Sequence, residues 1–78
     1  MFVKLSKPDA RAYRSYVKNT KNQSFLGKEC TYQGKDCIVV DTYASADEPS
    51  HVRVVLATKD YKEILPFSVK TSDCQFNN

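Results

Sequence analysis

From Phe25 onward, short β-branched runs alternate with turn residues, which restricts the chain to folds built on a small antiparallel sheet. Residues 28–32 and 35–43 read as two strands around Gln33-Gly34, where Gly34 supplies the positive φ that a tight hairpin needs. Ile38-Val39-Val40 is β-branched throughout and marks a central, well-buried strand. The segment Tyr43 to Ser50 is small, acidic and broken by Pro49, so it reads as a loop. His51 to Thr58 forms a further run, Lys59-Asp60 a short turn, and Tyr61 to Leu65 a return strand ended by Pro66. Pro66 to Lys70 reads as a turn or 3-10 piece before a last strand, and the tail from Gln75 to Asn78 is expected to fray.

The first 23 residues differ in kind. Lys4, Lys7, Arg11, Arg14, Lys18 and Lys21 stand there against Asp9 alone, whereas residues 24–78 carry more carboxylates than cations. Such asymmetry hints at an acidic partner. Ser6 suits an N-cap, Pro8 and Asp9 suit a first turn, and no Gly or Pro interrupts the stretch that follows, which predicts a helix over residues 7–19. On a helical wheel Ala10, Ala12, Tyr13, Tyr16 and Val17 share one broad face. Lys7, Arg11, Arg14, Lys18 and Lys21 follow a 4, 3, 4, 3 spacing and form a stripe about 80° wide, which faces outward if the apolar face docks on a core.

A glycine-led strand and hairpin over Gly27–Val39, a strand at Val52–Leu56 and a terminal Leu-Pro-Phe-Ser-Val turn within Glu63–Val69 follow one another across residues 25–72. This order resembles an SH3-like or Tudor-like barrel. The resemblance implies an α+β, mostly β chain: an antiparallel barrel of about four to five strands with one N-terminal helix outside it. It also implies a role in binding peptides, modified side chains or nucleic acid. At 78 residues the chain is long enough for a single domain spanning residues 1–78, with one small core.

Catalytic groupings are not apparent. A nucleophile, a base and an orienting group are the usual requirement, yet the only histidine is His51, beside a loop. Asp47-Glu48 are adjacent in that loop and poorly placed for paired acid–base work. Gly27 and Gly34 cannot make a phosphate cradle. Cys30, Cys37 and Cys74 lack the close pairing of zinc ligands, so neither a metal nor another cofactor is expected. With a two-residue hairpin loop, Cys30 faces Cys37 across the ladder at a distance that permits a disulfide, whereas a bulge at Gly34 would part them. The odd cysteine count, with no apolar h-region at the start, fits reduced thiols in the cytoplasm. There they serve as small buried hydrophobes, with a redox switch as the alternative. The longest apolar run, Val54 to Ala57, is far too short to span a bilayer.

Two surfaces remain as binding candidates. The stripe Lys7, Arg11, Arg14, Lys18 and Lys21 can neutralise phosphates of DNA or RNA or meet an acidic protein surface, although such a stripe also serves as a plain solvated face. Tyr32, Tyr43 and Tyr61 fall at hairpin or strand ends, where they could gather into an aromatic groove or simply bury their rings and wet their hydroxyls. The leading expectation is a small, non-enzymatic nucleic-acid-binding protein, monomeric or weakly dimeric. The alternative is a protein-interaction module, or a small inhibitor of the phage-encoded kind, that modulates a larger protein.

Overall fold

Helix α1 spans Lys7–Asn19, the bounds the sequence predicts. The Ser6 hydroxyl accepts the Asp9 N–H at 3.3 Å, Pro8 sits in the first turn where no N–H is needed, and the Thr20 N–H closes the far end on the Tyr16 carbonyl at 2.9 Å. The structure, a computed structural model, describes residues 1–20, 25–44 and 52–76. His51, most of the loop before it and the tail Asn77-Asn78 therefore lie outside the described residues.

The strands are β1 (Val3–Lys4), β2 (Glu29–Tyr32), β3 (Lys35–Ala44), β4 (Val52–Thr58), β5 (Glu63–Ile64), β6 (Val69–Lys70) and β7 (Gln75–Phe76). A 3-10 turn at Thr71–Asp73 joins the last two. β2 and β3 form the expected two-residue hairpin, with Tyr32 opposite Lys35 and Cys30 opposite Cys37. Gln33 and Gly34 both take positive φ, 49° and 79°, the geometry whose twist matches the flanking strands. β3 carries one irregularity. Val39 pairs with Leu56 and Asp41 with Val55, so Val40 is an extra residue in the ladder.

All pairings are antiparallel and follow the order β1-β5-β4-β3-β2-β7, with β6 beside β5 on the same edge of β4. The sheet curls but does not close, which corrects the barrel expected from the sequence. The end strands β1 and β7 are two residues each and do not pair. The outer edge of β4 is shared between β5 and β6, and Pro66, which has no N–H, lies in the connection between them. Three local expectations also change. The return strand is only Glu63–Ile64, because Tyr61 adopts a left-handed φ of 59° and is still part of the turn. The 3-10 piece falls at Thr71–Asp73 instead of Pro66–Lys70. Gln75–Phe76 pairs with β2 instead of fraying, with the Phe76 ring 5.1 Å from that of Phe25.

Both faces of the sheet are covered. On the concave face Cys30, Cys37, Val39, Val54, Leu56, Leu65 and Val69 form one core, bordered by Phe2, Phe25, Tyr32 and Phe76. On the other face Ala10, Tyr13 and Val17 of α1 dock on Val40, Ala57, Ile38, Val55 and Ile64. Burying each Val- or Leu-sized side chain contributes roughly 1.5–3 kcal/mol, and five of the seven residues in the concave core are of that size, the other two being cysteines. Gly27 sets how closely the helix approaches. It takes a φ of 82°, and a Cβ there would lie 3.2 Å from Val17 Cγ1.

Cys30, Cys37 and Cys74 are free thiols. Burial, and then the neighbouring Cys74 and Cys37, push the Cys30 thiol up to about 12, and burial raises Cys37 and Cys74 as well. Protonated thiols of this kind behave as small core hydrophobes.

Two measurements check this account. In urea unfolding, Gly27→Ala combines left-handed strain with the Val17 contact and is expected to cost about 2–3 kcal/mol. Gly34→Ala, where nothing lies within 4 Å, is expected to cost only about 1 kcal/mol. Equal costs would show that helix approach does not depend on Gly27. In alkaline solution, an unfolded thiol ionises near pH ~8.5 while folded Cys30 resists to about 12. The stabilisation is therefore full below the lower value and is lost as pH rises toward the upper one. Unfolding free energy should decline across that window, and less steeply in Cys30→Ala.

Candidate anion-binding groove

At about 100° per residue, Ala10, Tyr13 and Val17 centre on one line of α1, and Lys7, Arg11, Arg14 and Lys18 centre on another roughly 100° away. The basic stripe thus runs beside the docked line and not opposite it. Instead of facing straight outward, Lys7, Arg11 and Arg14 border the junction between helix and sheet, where they line a groove of about 900 Å³. Lys18 is exposed and does not line it, and Lys21 lies outside the described residues.

The opposite wall adds cations that the helical wheel could not reveal. Lys4 arrives from β1, Lys62 from the β4–β5 turn and Lys35 from the start of β3. Lys35 is committed elsewhere: its Nζ pairs with Glu63 at 2.8 Å and stands 4.6 Å from the Phe2 ring centroid. Lys4, Lys7, Arg11, Arg14 and Lys62 take part in no ion pair among the described residues. The second ion pair, Lys59 with Glu29 at 3.3 Å, involves none of them. Asp60, whose carboxylate is drawn to Lys62, and Glu63, paired with Lys35, also line the groove, so the cations outnumber the carboxylates there and leave the depression net positive.

Arg14 is held in place. Its Nη2 donates to the Asp60 carbonyl at 3.2 Å, and its guanidinium lies 4.9 Å from the Tyr61 ring centroid. Beneath it the β4–β5 turn is tightly bonded. The Thr58 hydroxyl donates to Asp60 Oδ1 at 2.6 Å and accepts the Glu63 N–H at 3.1 Å, while the Lys62 N–H donates to Asp60 Oδ1 at 3.0 Å. The Thr58 hydroxyl, and then the Lys62 N–H, hold the Asp60 carboxyl below the usual carboxylate range. Tyr61 forms the floor, only 9% exposed and covered by Arg14.

The three tyrosines expected to share a rim are separated. Tyr32 is half-buried against the concave core, Tyr61 lies under Arg14, and Tyr43 is exposed on the far flank of α1 beside Tyr13 and Tyr16. The physical cause is that Tyr43 shares the helix-covered face while Tyr32 sits on the concave side, and the left-handed turn tucks Tyr61 under the helix. Among the described residues no group of three or more His, Cys, Asp and Glu is placed to hold a metal ion, and no helix is long and apolar enough to cross a membrane. His51 and Asp47-Glu48, weighed above for catalysis, lie outside the described residues.

Sequence reasoning missed Lys4 and Lys62. Lys4 shares the cationic N-terminal segment but lies before the helix, and Lys62 reaches the groove only through a turn that bends at Tyr61, a non-glycine residue giving no left-handed signal. Thr58→Val tests the turn that carries this wall. The Glu63 N–H loses its acceptor and the Lys62 N–H, which also reaches the Thr58 hydroxyl at 3.3 Å, keeps only Asp60, which should lower stability by about 1–2 kcal/mol. The Asp60 carboxyl, followed by NMR, should also titrate closer to its ordinary value near ~3.9. An unmoved Asp60 titration would mean the Lys62 N–H alone sets it. No protein family, curated protein or solved structure matches this chain.

Proposed function

We propose that this chain binds nucleic acid without catalysing a reaction, and that it does so through phosphate contacts in the groove between α1 and the β4–β5 turn. The observation that carries this reading is the convergence of Lys4, Lys7, Arg11, Arg14 and Lys62 on one groove, in excess of its carboxylates Asp60 and Glu63 and with none of the five in an ion pair among the described residues. Cations left in this state gain by displacing counterions from a polyanion. Along the helix axis, Lys7 to Arg14 spans about 10 Å, a length that meets about two successive phosphates of one strand.

Backbone contact without base reading fits the groove best. Base stacking needs an open ring, and Tyr61 is covered by Arg14. The order of hairpins, which resembles that of SH3-like and Tudor-like domains, agrees with a binding role, although fold likeness alone does not establish one. An acidic protein surface would be drawn to the same cations, and it differs in lacking a regular phosphate spacing.

Titration of a duplex DNA and a single-stranded RNA at several salt concentrations tests the reading. With about four cations engaged, affinity for duplex should fall about 100-fold between 50 and 200 mM salt. Arg11→Gln with Arg14→Gln should lower the salt slope by about two and weaken different sequences alike. Absence of binding to either nucleic acid at low salt, or an unchanged slope in the double variant, overturns the proposal.

A further inference from the structure

The far flank of α1 has the opposite character. There α1 contributes Tyr13 and Tyr16, β3 contributes Asp41 and Tyr43, and the connection after β5 contributes Phe67, around a groove of about 870 Å³. The Tyr43 hydroxyl donates to Asp41 Oδ2 at 2.8 Å, and the Thr42 N–H donates to Oδ1 at 2.9 Å. The Tyr16 hydroxyl stands 3.5 Å from Oδ1, at the outer limit of a hydrogen bond. A carboxylate is therefore fixed between two aromatic rings by neutral donors, and no ion pair among the described residues includes it. The rings are open: Tyr16 is 39% exposed, Tyr43 51% and Phe67 51%.

The connection that carries Phe67 is pinned as well. Arg53 donates from Nε to the Ser68 hydroxyl at 3.0 Å and from Nη2 to the Ser68 carbonyl at 2.8 Å. Both walls of the groove are thus formed before a ligand arrives, a condition that limits the ordering cost of binding.

The charge and the rings together restrict the occupant. An anion would meet Asp41 and Asp9 against Lys4 alone, so phosphate is disfavoured here while it is attracted on the other flank. A wholly apolar ligand would strip water from Asp41 and give it no partner. A cation gains from the carboxylate and from the ring faces at once. Among side chains, the planar guanidinium of arginine can stack on a ring while hydrogen-bonding a carboxylate, which an ammonium group does less well. Asp41 Oδ2 has lone-pair capacity beyond the Tyr43 bond. The groove continues past Phe67 toward Leu5, longer than one side chain needs and suited to the flanking residues of an extended segment.

We propose that this groove binds an arginine side chain presented by an extended segment of a partner protein, with the guanidinium between Tyr16 and Tyr43 and bonded to Asp41. The site meets the basic groove at Lys4 and Leu5, which line both, but it uses neither Arg11 nor Arg14 and does not rest on the nucleic-acid reading.

The probe is an acetylated and amidated Gly-Ala-Arg-Ala-Gly peptide titrated into the full chain and followed by NMR, with the citrulline peptide as a neutral counterpart of nearly the same shape. Saturable shifts are expected at the Asp41 and Tyr43 amides and the Tyr16 ring, and the citrulline peptide should bind at least about ten-fold more weakly. Asp41→Asn should weaken the arginine peptide by about ten-fold or more. Phe67→Ala, a change at an exposed ring, should weaken it about three-fold and gives a readout if Asp41→Asn does not fold. Arg11→Gln with Arg14→Gln should leave peptide binding unchanged, so failure here and failure of the phosphate groove are separable. Equal binding of the two peptides, shifts confined to other surfaces, or no loss in either Asp41→Asn or Phe67→Ala overturns the proposal. Sedimentation at two concentrations adds one further overturning result: self-association that Asp41→Asn abolishes and the arginine peptide does not displace would make a second copy the occupant.

Discussion

Docking of α1 through Ala10, Tyr13 and Val17 onto the face formed by Ile38, Val40, Val55, Ala57 and Ile64 is the contact on which the remaining surface depends. An amphipathic helix of 13 residues has little stability in isolation, so its position is set by this packing and by the close approach at Gly27. Once the docked line is fixed, 3.6 residues per turn decides everything on either side of it. Residues one step around the wheel in one sense are Lys7, Arg11 and Arg14; in the other sense they are Asp9 and Tyr16. The helix thereby separates two grooves of opposite sign, and neither could be rotated away without undocking both.

Much of the backbone was legible in the residues themselves. Ser6, Pro8 and the uninterrupted stretch after Asp9 announce the helix because capping and propensity are local effects. Gln33-Gly34 announces the hairpin and its register, down to Cys30 opposite Cys37, because a two-residue turn leaves one pairing. What stayed hidden depends on distant contacts. Val3–Lys4 is too short to show a pattern and becomes a strand only because β5 is there to pair with it. Openness of the sheet follows from how two short strands share the edge of β4, which no local signal encodes.

The sites were legible to a similar degree. Three of the five stripe cations, Lys7, Arg11 and Arg14, meet in one groove, since helical periodicity is a local property. Their partners Lys4 and Lys62 come from other elements and could be found only in three dimensions. A position at a strand end carries no information on facing, so Tyr32, Tyr43 and Tyr61 share a sequence pattern although they end on different surfaces. Asp41 gave no signal, because its surroundings are supplied by α1 and by an irregularity in its own strand.

That irregularity has a consequence of parity. Along β3, Cys37 and Val39 point into the concave core, and simple alternation would send Asp41 the same way. The extra residue at Val40 resets the count, so that Asp41 aligns with Val55 beneath the helix and Thr42 takes the place opposite Val54. Straightening the bulge, so that Val40 took a ladder place of its own, would exchange the two sides of everything after it and force a carboxylate into an apolar interior. The bulge at Val40 thus lets a continuous ten-residue strand place one more apolar side chain under the helix and still keep Asp41 out of the concave core.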